Sequence, residues 1–369
     1  MSARVKMTTA RRVVTPVLVL AAFSMLASCQ KPLTVLLGPE AAPLKAAIEE
    51  TAAGTPGLGK VSVEVEGAKA PSGAALRLTS TPGWNLPSGS EPAVSFPSDW
   101  DSSYRPVPSI AILGQGKDRS WSSVPLMYDV WGHTTFAANP SALTPTGDWK
   151  GLLKRAAPAS LLVAGIRPSF RQAAYLFGIF PGLPSDPEAA SWFAQTPAGW
   201  KAPPAVFSAL VANRVWIPNS WFFSREDQAL SYKTGKQIVF FETYRDYERA
   251  QAPGVRRFVP LSVRDGQGYA MAGTVLFLEL RGNKSGLGPA LKLMKSLVSP
   301  DFQKRAVMDG KWLSTDQSAP ELDGVGAMVR TMSRGASRFF PVTDSLPDPL
   351  VEGSLWVEVQ LSVDRAPRK

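Results

Sequence analysis

Apolar and polar positions alternate along this chain in an order that predicts strands and helices in turn. KPLTVLLGPE (31–40) is an apolar run closed by Gly-Pro and reads as a buried strand. APLKAAIEETAA (42–53) places Leu44, Ala47 and Ile48 on one face of a helix, and KVSVEVEG (60–67) has the two-residue period of a strand. ALRLTSTPGW (75–84) reads as a further strand running into a turn. Strand, helix and strand at this spacing predict an α/β domain with partly parallel pairing. Residues 81–125, rich in Pro, Ser and Gly and interrupted only by SIAIL (109–113), read as an irregular surface region or cleft rim. SLLVAGI (160–166) and KQIVFF (236–241) read as buried strands, and RQAAYLFGIF (171–180) and the segment around SWFAQ (191–195) as helices.

The pattern is clearest further on. GTVLFLEL (273–280) is a continuous apolar run followed by turn residues. PALKLMKSLVS (289–299) then opens with Pro289 in a helical first turn and sets Ala290, Leu291, Met294, Leu297 and Val298 on one face. Ser299-Pro300 stops that helix and starts another, SPDFQKRAVMDG, capped by Ser299 and closed by Gly310. LWVEVQLSV (355–363) fits strand and helix equally, and no internal repeat is visible.

The N-terminus has a different logic. Residues 1–28 carry Arg4, Lys6, Arg11 and Arg12 and no acidic residue, and within them Val13 to Ala27 is a short, almost wholly apolar segment. A basic start, a short apolar stretch and small residues describe a secretory signal peptide. Leu26-Ala27-Ser28-Cys29 resembles the lipobox of bacterial lipoproteins, which implies cleavage before Cys29 and acylation of its thiol and new N-terminus. Two or more acyl chains give a stable anchor, at about 0.8 kcal/mol per buried methylene. Cys29 is the only cysteine, so an exported product has no disulfide and rests on its core.

Composition narrows the class. The sequence is 44% hydrophobic and 19% charged, as globular domains are, while 33 prolines predict many loops. Formal net charge is +10, and loss of the basic leader leaves about +6, scattered without basic blocks. That is a solvated surface and argues against nucleic-acid binding.

Several stretches, in order, resemble the extracellular solute-binding proteins of bacterial importers, the branch that includes maltose-binding protein. VPLMYDVWG (124–132) resembles the crossing to the second lobe, and GDWKGLLKRA (147–156) a tryptophan-containing helix start. YKTGKQIVFFETY (232–244) resembles a turn and buried strand leading to the cleft. VRRFVPLSV, GTVLFLEL and ALKLMKSLVSPDFQKRAVMDGKWLS resemble the return to the first lobe and its paired helices. The resemblance implies a two-lobed, periplasmic-binding-protein-like α/β fold with a hinge near Val124–Tyr128 and Gly268–Gly273 and a ligand held between the lobes. Lobe 1 would comprise 29–125 and 270–313, and lobe 2 would comprise 126–269 and 314–369. Where relatives often carry Gly-Pro-Trp after the buried strand, this chain has Thr243-Tyr244-Arg245. Where they carry Leu-Pro after the paired helices, it has Trp312-Leu313-Ser314.

Rival chemistries are weaker. GTPGLGK (54–60) has P-loop glycine and lysine spacing, but Val61 replaces the metal-binding hydroxyl and the run leads into a strand. Lys233-Thr234-Gly235 matches one element of penicillin-binding enzymes without a nucleophile box in the processed chain. His133 is the sole histidine, with no nucleophile elbow to accompany it, and His/Cys metal sites fail by count. Carboxylate metal sites and a carboxylate pair for glycoside hydrolysis stay open on spacing alone, because the fold sets their geometry; no catalytic residue, metal site or cofactor is assigned.

Candidate ligand contacts are Trp84, Trp221 and Trp312, whose neighbours are turn-forming residues and whose flat faces suit rings. By the resemblance, Glu242, Tyr244 and Arg245 join them, the arginine fork suiting a carboxylate or phosphate. The expected protein is a monomeric, lipid-anchored binding module of the bacterial envelope that passes a small polar solute to an ABC-type permease. An exported carbohydrate hydrolase, and a sensor or surface lipoprotein of the same fold, are the alternatives.

Overall fold

Leu33–Leu37 is buried at every position, which a strand covered on both faces requires, and it forms β1. A computed structural model describes residues 33–67, 74–82, 93–97, 103–116, 119–136, 163–164, 238–249, 256–265, 268–282, 287–319, 322 and 324–343. Residues 1–28, Cys29, Trp84, Trp221, 147–156, 171–180, 191–195, 233–235 and 355–363 lie outside the described residues, as does the side chain of His133.

After a 3₁₀ turn, helix α1 (Lys45–Gly54) returns the chain to β2 (Val61–Val65), which pairs parallel with β1. β3 (Ala74–Thr79) pairs parallel on the other side of β1. The expected strand–helix–strand unit is present. GTPGLGK is the turn between α1 and β2, with Gly57 and Gly59 at φ of 68° and 73°, so no helix N-terminus stands behind it.

The sheet is completed from distant parts of the sequence. β12 (Val275–Arg281) runs antiparallel between β3 and β5 (Val124–Tyr128), and β13 (Leu313–Ser314) pairs with β5. β4 (Ala93–Val94) joins the far end of β12. One face of this seven-stranded sheet presents Val35, Leu37, Leu76, Leu78, Leu278 and Leu280 to α1, α4 (Leu287–Leu297) and α5 (Pro300–Gly310). On α4 the buried positions are Ala290, Leu293, Met294 and Leu297, while Leu291 is only partly buried.

SIAIL, which interrupts the Pro-, Ser- and Gly-rich region, belongs to α2 (Pro108–Gly114), with Ser109 and Ile110 buried and Ile112 exposed; Pro108 presets the first turn. Together with Val329 of α6 (Gly324–Gly335), Ile110 helps cover the second face of the sheet around Val275 and Phe277. That face also carries a buried charge network. Arg77 meets Glu66 and, at 3.1 Å, Glu279, which Arg281 meets at 3.2 Å. Opposite charges side by side are what make such burial tolerable.

A second sheet holds β7 (Val163–Ala164), β8 (Ile238–Thr243), β6 (Trp131–Phe136) and β9 (Arg256–Pro260), in that order. A third, smaller sheet is made of β10 (Ser262–Asp265), β11 (Gly268–Gly273) and β14 (Arg338–Pro341). It lies where the chain passes from β9 back to β12. The crossings are stitched together: Asp129 N–H donates to Thr274 O at 2.8 Å, and Val342 N–H to Gly273 O at 2.9 Å. A Cβ on Gly273 would sit 1.8 Å from Asp129 O, so only glycine admits this approach.

Candidate functional site

In α/β sheets ligands gather outside the carboxyl ends of the strands. Register places Gly38 after β1, Ser80-Thr81 after β3 and Asp129 after β5 at one edge of the seven-stranded sheet. The start of β13, at Trp312, reaches the same edge because Leu313 pairs with Tyr128. From the second sheet, the end of β8 arrives beside it and continues into helix α3 (Tyr244–Arg249).

The joint between the sheets is Asp129. It is 3% exposed, and its carboxylate accepts from Val130 N–H at 2.9 Å and Arg245 N–H at 3.1 Å. Burial pushes its pKa up to about 6, with Arg245 opposing the shift. The Thr243 hydroxyl accepts from Asp246 N–H at 3.2 Å, capping the first turn of α3.

Of the sequence-predicted contacts, Arg245 and Trp312 are brought together. The guanidinium carbon lies 3.8 Å from the centroid of the indole, and Nε donates to Gly310 O at 3.2 Å. Arg249 donates to the same carbonyl at 3.3 Å. Trp312 itself is 1% exposed, and its ring N–H has no hydrogen-bond partner among the described residues. Tyr244 is buried edge-on to Phe258, at 6.0 Å, and burial raises the pKa of its hydroxyl. Glu242 is half-buried on β8 opposite Gly132.

A polar chain at the sheet edge escaped the sequence reading. Thr343 donates to Glu40 at 2.6 Å, and its hydroxyl also lies 2.8 Å from that of Ser80. Nothing local in the sequence links these three residues, whereas Asp129 had a signal: one acid between two apolar runs. Among the described residues no group of three His, Cys, Asp or Glu is placed to hold a metal ion.

The fold as a whole recurs in solved structures. A family 1 extracellular solute-binding protein from Bifidobacterium longum subsp. infantis matches 91% of this chain and 97% of its own, with a TM-score of 0.61 and 13% identity. This is the two-lobed solute-binding fold. Maltose-bound MalE3 of T. maritima shares it at a TM-score of 0.58 and 14% identity, over 91% of this chain and 95% of that one. The solute-binding fold also serves an enzyme: thiaminase I of Clostridium botulinum, in complex with thiamin, matches at 0.60 and 11% identity over 90% of this chain and all of its own. No family model and no curated protein matches the sequence.

Proposed function

We propose that this chain is a lipid-anchored solute-binding protein that captures a small polar solute, of the sugar type, between two lobes and delivers it to an ABC-type permease. The observation that supports it most is the shared edge. Carboxyl ends of strands in one sheet and the end of β8 in another converge on Asp129, Arg245 and Trp312, beside chain crossings on which the lobes can turn. In this reading residues 29–125 and 270–313 form one lobe and 126–269 and 314–369 the other. Glu242, Tyr244 and Arg245 stand at the solute with Trp84, Trp221 and Trp312. Acyl chains on Cys29 hold the monomer to the envelope, and no bond of the solute is broken.

The test is to identify small molecules that copurify with the protein and to titrate them back, alongside a panel of neutral and acidic oligosaccharides. A bound solute should raise the melting temperature, because it binds the folded state alone, and should reduce the radius of gyration as the lobes close. Binding with an unchanged scattering profile would point instead to the surface or sensor lipoprotein. Release of sugars from a polymer would point to the hydrolase.

A further inference from the structure

Arg245 is fastened at both ends. Its backbone N–H is held by Asp129, which is buried at the crossing between β5 and β6. Its side chain reaches away from α3 to the seven-stranded sheet, where the guanidinium covers Trp312 and Nε donates to Gly310 O. Gly310 is the last residue of α5, whose Phe302 and Ala306 lie in the core under that sheet. The last carbonyls of a helix lack intrahelical donors and carry partial negative charge. Two cations, Arg245 and Arg249, converge on this one. A planar guanidinium over an indole adds attraction between flat faces, most effective where water is excluded, as it is at a ring 1% exposed.

We infer that Arg245, seconded by Arg249, is a built-in clasp between the two sheets that sets their relative angle. The second sheet contributes α3, the first contributes the end of α5 and the ring of Trp312, and every contact is made by the chain itself. One face of the Trp312 ring is covered by the protein's own arginine. A solute that reached this ring would have to displace the clasp, so solute affinity would carry the work of opening it. The clasp stands on contacts within the chain and does not depend on the transport reading.

The test uses the full chain carrying Cys29→Ser, which leaves no native thiol, with nitroxide labels on Ala46→Cys and Arg257→Cys, both exposed and one on each side. Electron–electron distance distributions are recorded without solute. The parent should give one narrow distance. Arg245→Ala should shift the balance toward a second distance by about tenfold, the scale expected for losing a charge-assisted hydrogen bond. Arg245→Lys, which keeps the charge and loses the flat fork, should shift it less, and Arg249→Ala less again. Coincident distributions for Arg245→Ala and the parent would overturn the clasp. Should Arg245→Ala fail to fold by circular dichroism, coincidence of both Arg245→Lys and Arg249→Ala with the parent would overturn it equally. Sugar binding is not measured here, so either reading can fail while the other stands.

Discussion

Asp129 is a carboxylate placed where water cannot reach it, at the turn from one sheet to the next. Its two backbone donors and nearby Arg245 favour the charged form, yet burial wins and lifts its pKa from 3.8 to about 6. A folded-state pKa above the unfolded one means that the group's stabilising contribution is full below about pH 4 and is lost as pH rises through about 6. Asp129→Asn keeps an acceptor for both N–H groups and removes the charge. On moving from about pH 7.5 to about pH 4.5, the parent should therefore gain stability relative to this variant, by on the order of 1–3 kcal/mol. Urea unfolding of both proteins at the two pH values measures this, and identical pH dependence would show that Asp129 does not titrate in that window.

At the scale of elements, the joint between α4 and α5 shows one residue doing two jobs. The Ser299 hydroxyl donates to Ser296 O at 2.6 Å, closing α4, and accepts from Phe302 N–H at 3.5 Å, opening α5. Ser299→Ala should lower unfolding stability by about 1 kcal/mol, the usual cost of a lost N-cap; chemical denaturation would detect it, and no change would mean the joint is held by packing alone. This joint was legible in Ser-Pro between two amphipathic runs, as β1, β2, β8 and β12 were in their apolar patterns. Such signals are local: they need only near neighbours. What escaped was long-range. Arg77 inside ALRLT shows a charge in a strand but not that Glu66 and Glu279 would flank it. Arg245 suggested an anion partner, but nothing in the sequence showed that its guanidinium would also meet an indole and a helix terminus. The helix α2 hid because seven residues opening with proline, set among Pro and Ser, carry too little periodicity to stand out.

At the scale of the whole molecule, attachment and assembly are separate matters. Cys29→Ala should abolish acylation and shift the protein from the detergent phase to the aqueous phase, or leave it unprocessed; fractionation with mass spectrometry of the N-terminus reads the outcome, and a processed, acylated variant would refute the lipobox. Assembly follows from the position of β12, between β3 and β5. Leu76 and Leu280 are partners in register although about two hundred residues separate them. A chain leaving the ribosome emerges N-terminus first, at about 5–20 residues per second, so β3 waits on the order of 10–40 s for its neighbour. Through that wait one strand border stays open, a template for any other extended chain nearby. Nascent molecules of this protein are thus exposed to mispairing for most of their synthesis, and a holdase or translocase that keeps the early strands apart serves them more than any enzyme that accelerates folding.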